Sequence, residues 1–259
     1  AQEEYKNPWE KISDSPMLAQ AEQLLQANDI EESAQNLEAA DYILQGMSVG
    51  PEAEAVNHQA SMNFYTFASQ VWKQIGWQDH TKEDAVDAET DAMAKSLTGE
   101  EIALPFESEM LLKQIEADAD LAQMYADIRQ QMVEQMYDQA EEGNITSDQL
   151  QGMKVVQAGF RILGAMAGRR QYQLPVETES GMKVVNLTMQ TGGVEARGIT
   201  IRMAAGVHGM LQAQIRMDEA GTCTGEILGG SSEANTWLAG QTDAFRELLA
   251  GSEYADAAV

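Results

Sequence analysis

Apolar residues recur at helical spacing through about the first 170 residues, and then at every second position through most of the remaining chain. Helical spacing predicts amphipathic helices, and strict alternation predicts strands with one dry and one wet face. We therefore expect an α+β protein with an all-helical N-terminal part, followed by a small antiparallel sheet of about four strands capped by a C-terminal helix. The change of period divides the chain into a helical domain, 1–168, and a sheet-plus-helix domain, 171–259.

The helical part has recognisable starts and stops. Ser15 before Pro16 predicts an N-cap and a first helical position, and Gly46 predicts the left-handed end of a second helix over 33–45. A faint repeat offset by 19 residues relates these two helices and indicates a helical hairpin. Further helices are expected over 51–75 and 108–142. Thr146 and Gln149 form a capping box for a helix that reaches 168.

Four segments of the C-terminal part alternate apolar and polar residues, and a final helix over 232–250 begins with Ser232 as its cap. The alternation predicts one core in which the dry face of the sheet meets the apolar stripe of this helix. The residues expected in that core are Ile199, Ile201, Leu211, Ile215, Trp237 and Leu248. The glycine-rich run at 191–198 lies between two strands and is interpreted as a hairpin turn, because it lacks the Lys-Ser/Thr of a phosphate loop.

Charge excludes two classes of partner. The chain has 42 acidic and 16 basic residues, a net charge of -26, which repels phosphate backbones and anionic lipid surfaces. On this ground we expect no nucleic acid binding. We also expect no membrane insertion, since the most apolar stretch, 155–168, is too short to cross a bilayer. From Gln171 onward 5 basic and 11 acidic residues give -6, so that the preceding part bears -20.

Few residues suggest chemistry. Cys223 is the single cysteine, so no intrachain disulfide can form, and its place in an alternating segment favours a small buried apolar residue over a reactive thiol. His58, His80 and His208 are far apart, and the acidic segment 84–91 lacks the spacing of a calcium loop. We therefore expect no catalytic residues, no metal site and no cofactor. The first nine residues lack the basic and apolar regions of a signal peptide.

The run 209–217, a turn, the segment 222–228 and the helix that ends at 246–251 resemble the C-terminal domain of bacterial flagellar hook-length control proteins. The segment around Tyr172–Val176 and Val185–Leu187 is similar to uncharacterised clostridial proteins in which a helical part precedes such a domain. The resemblance implies a cytoplasmic, non-enzymatic domain that contacts a component of the flagellar export gate and switches its substrate class. It also leaves open that the chain is exported through the flagellar secretion system.

The wet face of the sheet is the predicted partner-binding surface, because it gathers three of the five basic residues of the C-terminal part. Its residues are Arg197, Thr200, Arg202, Gln212, Gln214 and Arg216. In the alternative interpretation these arginines only balance Glu195 and Glu226 across the strands. A competing function is a cytosolic acidic adaptor or chaperone-like protein, in which the methionines of the 108–142 helix hold a partner helix instead of belonging to the core.

Overall fold

The computed structural model describes residues 12–47, 62–75, 108–116, 119–141, 143, 145–178, 181–190, 197–205, 208–217, 223–241 and 243. Within these residues it contains seven helices and one five-stranded antiparallel sheet, which confirms the α+β class. The expectations for the acidic segment 84–91, for His58 and His80 and for Leu248 concern residues outside this part of the chain.

The helices precede the sheet except for one. They are α1 (Leu18–Ala27), α2 (Ala34–Met47), α3 (Phe64–Ile75), α4 (Ser108–Glu116), α5 (Leu121–Glu141), α6 (Ser147–Ala167) and α7 (Ser232–Gly240). The strands are β1 (Gln171–Thr178), β2 (Gly181–Gln190), β3 (Arg197–Ala204), β4 (Met210–Met217) and β5 (Cys223–Gly229), in the order β1-β2-β3-β4-β5. The sheet thus has one strand more than expected. The extra strand, β1, has three consecutive buried residues, Gln173, Leu174 and Pro175, and so lacks the alternation that marks a half-buried strand.

Helix α6 lies at the centre of the core and contacts α2, α3, α5 and β1. Phe160 on α6 packs edge-on against Phe64 of α3 at 5.3 Å between ring centroids, and stacks on Trp72 and Tyr125 at 5.8 Å each. The predicted capping box of α6 is confirmed, because Thr146 and Gln149 exchange side-chain to backbone hydrogen bonds. Aromatic rings from three helices therefore join the helical part into one core.

Two predicted helix limits near the N-terminus are wrong. Helix α1 begins at Leu18, and the Ser15 hydroxyl accepts a hydrogen bond from the Met17 N–H and donates one to Asp41 of α2. Gly46 does not end α2 but lies inside it. The reason for a glycine there is a close approach: a Cβ at Gly46 would lie 3.0 Å from the Val184 side chain of β2. Helices α1 and α2 contact each other, as expected of a hairpin.

Three other helix starts differ from prediction because polar side chains cap the backbone elsewhere. Helix α3 starts at Phe64, where Asn63 accepts from the Thr66 N–H, and residues 51–61 lie outside the described part. The single helix expected over 108–142 is two, α4 and α5, and Asp120 accepts from the Gln123 N–H at the start of α5. Helix α7 is capped by Ser231, not by Ser232.

The sheet joins the helical core through its first two strands. The Gln173 side chain of β1 is 1% exposed, and its amide donates to the Ile43 carbonyl of α2 and to the Asn186 side chain of β2. Asn186 in turn donates to the Gly46 carbonyl. Tyr65 of α3 donates to the Gln173 carbonyl at 2.7 Å, and burial raises the pKa of this tyrosine above its ordinary value. Helix α2 therefore packs on the face of the sheet that the sequence predicts to be wet.

The expected core between the dry face and the C-terminal helix is wrong. The register does align Ile199, Ile201 and Ile215 with their apolar neighbours on one face, as the alternation predicts. However, Ile215 is 39% exposed, and Trp237 is 36% exposed and stacks on His208. Helices pack on β1 and β2, whereas the main contact of α7 with the sheet is with β5. Alternation therefore places these residues on one face without making that face buried.

We expect Ile215→Ala to change the free energy of unfolding by less than about 1 kcal/mol, because a half-exposed side chain loses little burial on truncation. Chemical denaturation measures the change. A loss of about 2 kcal/mol or more, which is typical of a buried Ile→Ala, would show that the side chain is buried in solution.

Candidate protein-binding surface

Five of the six predicted partner-binding residues share one face of the sheet. In the register, Thr200 lies opposite Gln214, Arg202 opposite Gln212, and Arg216 opposite Gly198. All five occupy even positions of two adjacent antiparallel strands and therefore point to the same side. We call Thr200, Arg202, Gln212, Gln214 and Arg216 the polar face.

Arg197 does not belong with them. It opens β3 opposite Met217, at an odd position that is out of step with Thr200 and Arg202. In the register Arg197 therefore lies at the N-terminal end of β3, beside the positions of the polar face.

The two arginines of the polar face are exposed and held by glutamines. Arg202 donates from Nε to Gln212 Oε1 at 2.7 Å, and Arg216 donates from a terminal nitrogen to Gln214 Oε1 at 3.0 Å. The alternative that they balance carboxylates predicts an ion pair between Arg216 and Glu226. No such ion pair forms within the described residues, although Glu226 lies opposite Gln214 on the neighbouring strand. Glu195, the other proposed partner, lies outside them.

The polar face continues the surface on which α2 packs. One row of paired positions runs from Gln173 through Asn186, Arg202 and Gln212 to Leu228. Its beginning is buried under α2 and its end is open, with Leu228 42% exposed. An exposed leucine and two exposed arginines on the open part of this face offer a partner both apolar and charged contacts.

Leu228 breaks the alternation of β5, so the alternating pattern does not assign it to the polar face. It follows Ile227 directly, so two apolar residues occupy opposite faces of β5, and both are more than 40% exposed. From sequence alone, two adjacent apolar residues indicate a strand that is covered on both faces, so the exposure of this dipeptide could not be predicted.

The methionines of α5 belong to the core. Met132 is fully buried, and Met124 and Met136 pack against the core cluster. Leu121, Tyr125 and Ile128 lie on the same buried stripe. This arrangement supports the core interpretation of the stripe on α5, while Met110 on α4 is 38% exposed.

The described residues contain no group of three or more His, Cys, Asp or Glu side chains that is arranged to hold a metal ion. Among the helices that the structure describes, none is both long and apolar enough to cross a membrane. His208, the one histidine in this part of the chain, stacks on Trp237 at 4.4 Å between ring centroids. Its environment is therefore an aromatic contact between the start of β4 and α7.

Within the described residues, the segments that carry the resemblance to the hook-length control domain are β4, β5 and α7. Strand-strand-helix units occur in many folds. No family model matches this sequence, and no curated protein and no solved structure is significantly similar to it.

Proposed function

We propose that this chain is a non-enzymatic protein-interaction module that binds an acidic segment of a partner protein on its polar face. The observation that carries the proposal is the pair of exposed arginines, Arg202 and Arg216, whose hydrogen bonds go to neighbouring glutamines. Neither guanidinium group forms an ion pair within the described residues. They therefore place a local positive charge on a protein whose net charge is -26.

The geometry supports binding because the arginines are already oriented. Gln212 and Gln214 each fix one guanidinium group with a single hydrogen bond, which leaves further N–H groups of each arginine available to a carboxylate. Fixing the side chain in advance lowers the entropy lost on binding. Leu228, on the same face, adds an apolar contact at the edge.

The resemblance of residues 209–251 suggests a biological setting, namely flagellar hook-length control or the switching of export specificity. In that setting the partner is a component of the flagellar export gate, and the chain acts in the cytoplasm. Export of the chain itself through the flagellar system is compatible with this role. The setting is the more detailed part of the proposal and rests on the resemblance alone.

We expect the double charge reversal Arg202→Glu with Arg216→Glu to weaken binding to the cytoplasmic domain of the export-gate switch component by at least about tenfold, with a reduced dependence on salt. Isothermal titration calorimetry at two salt concentrations measures both effects. The melting temperature should change little, because both arginines are exposed.

Lys73→Glu with Lys154→Glu is the matched control, since it makes the same change of net charge at two exposed positions of α3 and α6. Equal weakening by both double variants would mean that only the overall charge matters. If the wild-type chain does not bind the gate component, the flagellar setting is wrong; if it binds and the reversal has no effect, the polar face is not the site.

A further inference from the structure

Strand β5 is an open edge of the sheet with a defined pattern of outward backbone groups. The Gly230 N–H donates to the Met210 carbonyl, which makes this opposed pair a hydrogen-bonded one. Hydrogen-bonded and non-hydrogen-bonded pairs alternate along an antiparallel ladder. Residues 224, 226 and 228 therefore bond to β4, whereas residues 223, 225, 227 and 229 direct their N–H and C=O groups away from the sheet.

One end of this edge is closed by a side chain. Asn235 of α7 accepts from the Gly229 N–H at 2.7 Å and donates to the Gly229 carbonyl at 3.2 Å, and thus satisfies both outward groups of that residue. The carboxamide replaces one residue of a neighbouring strand. The outward groups of Gly225 and Ile227 have no hydrogen bond among the described residues, and the side chains of residues 224–228 are exposed.

Among the described residues of β5, the open edge runs from Cys223 to Ile227, and Gly225 is its middle residue. We infer that this edge pairs with β5 of a second copy of this chain, antiparallel, about a twofold axis at Gly225. Only this register gives a partner to every outward N–H and C=O group of Cys223, Gly225 and Ile227. Gly225 then lies opposite Gly225 of the second copy, and Cys223 of each copy lies opposite Ile227 of the other.

Other twofold registers are worse for identifiable reasons. Placing the axis at Glu226 would set the two Glu226 carboxylates directly opposite each other, which is unfavourable for like charges. Placing it at Ile227 would bring Gly225 against Gly229, whose outward groups Asn235 already occupies. The axis at Gly225 instead sets Thr224 opposite Glu226 of the second copy, and the two positions form a compatible polar pair.

Charge complementarity supports the same register. Arg216 lies opposite Thr224 within one chain, so that Glu226 of the second copy continues the same row beyond Thr224. The separation is two strand spacings, about 9.5 Å, which is within the range of Coulombic attraction at moderate salt. Glu226 of the second copy therefore places a favourable charge near Arg216, while the Arg216 hydrogen bond to Gln214 is kept.

Electrostatic repulsion between two copies of this chain is weakest when they meet at the edge of β5. The part of the chain before Gln171 bears -20 and the remainder -6, and the helices pack on β1 and β2 at the other side of the sheet. Strand β5 is four strand spacings, about 19 Å, from β1. Pairing through β5 therefore separates the acidic helical parts widely, and the remaining repulsion is screened by salt.

Sedimentation equilibrium of the full chain tests the inference. We expect the average mass to rise from that of one chain towards twice that value with increasing protein concentration, and to rise more at 0.5 M than at about 0.05 M salt, because the Debye length shortens. Ile227→Pro removes an outward N–H without removing a bond to β4, and should abolish the rise. Ile227→Thr keeps that N–H and should behave as the wild type does.

Mixed cysteine variants test the register. In a Cys223→Ser background, Thr224→Cys and Glu226→Cys chains should form a disulfide with each other at least about tenfold faster than either variant does with itself, because positions 224 and 226 of opposite copies form a non-hydrogen-bonded pair. A wild-type chain that stays monomeric at all concentrations and salts would overturn the inference. So would a dimer that persists in Ile227→Pro, or equal disulfide rates in the mixed and unmixed samples.

Discussion

Gly159→Ala is expected to destabilise the protein by about 3 kcal/mol or more, at the upper end of the range for overpacked cores. A Cβ built at Gly159 would lie 1.9 Å from Cε2, 2.4 Å from Cζ and 2.6 Å from Cδ2 of Phe64, distances far inside van der Waals contact. The Phe64 ring is fully buried and held edge-on by Tyr65 and Phe160, at 5.6 and 5.3 Å. It therefore has no room to move aside, and α3 and α6 must separate.

Gly164→Ala in the same helix is the control for the clash. Its Cβ would have ordinary contacts, the nearest being 3.6 Å from Tyr125 Cβ, so this variant should gain up to about 1 kcal/mol from helix propensity. Urea denaturation of both variants compares them directly. Adding Phe64→Leu to Gly159→Ala should recover part of the loss, and a double-mutant cycle measures that coupling. If both alanine variants were equally stable, the close approach of α3 and α6 would be wrong.

The pattern of apolar and polar residues predicted the α+β class and most helices and strands. It did not predict which faces of these elements pack against each other. The capping box at Thr146 could be identified because it depends on residues three apart. The roles of Gly46 and Gly159 could not, because each is set by a side chain from a distant element, Val184 and Phe64 respectively. From sequence alone, Gly46 fits a helix stop and Gly159 is a helix residue of low propensity.

The candidate surface was partly predictable for the same reason. Alternation within strands correctly groups Thr200, Arg202 and Arg216, because the side-chain period of a strand is local. It does not show that α2 covers the polar side of the sheet at Asn186 and leaves Arg202 exposed to solvent. Nor does it show that the Asn235 side chain binds the outward backbone N–H of Gly229. These features require the order of the strands and the position of the helices relative to them.

The core crosses the predicted domain boundary. The boundary at 168–171 coincides with the short turn between α6 and β1, but Leu174 of β1 and Val184 of β2 belong to the same buried cluster as Leu25, Ile43 and Phe160 of the helices. Tyr65 also binds the backbone of β1 directly. Separate folding of 1–168 and 171–259 would expose this shared surface in both parts.

We therefore expect Leu174→Ala to lower the free energy of unfolding by about 2 to 5 kcal/mol, as for other buried leucines, and to do so for the helices as well as for the sheet. Leu174 is 6% exposed although it lies in the sheet part of the chain. Circular dichroism at the helix band during urea denaturation should show one transition with a lower midpoint. The free energy of opening that hydrogen exchange reports for the α6 amides should fall by the same amount.

Ile215→Ala is the control from the exposed end of the same sheet, and it should leave the helical transition almost unchanged. Two independent domains make a different prediction: Leu174→Ala would then weaken only the strands, and the midpoint and exchange of the helices would remain those of the wild type. A helical midpoint unaffected by Leu174→Ala would therefore support the division at 168. A coupled loss means that the helices hold β1 and β2 rigidly, so that the polar face and the edge of β5 are presented from a fixed base.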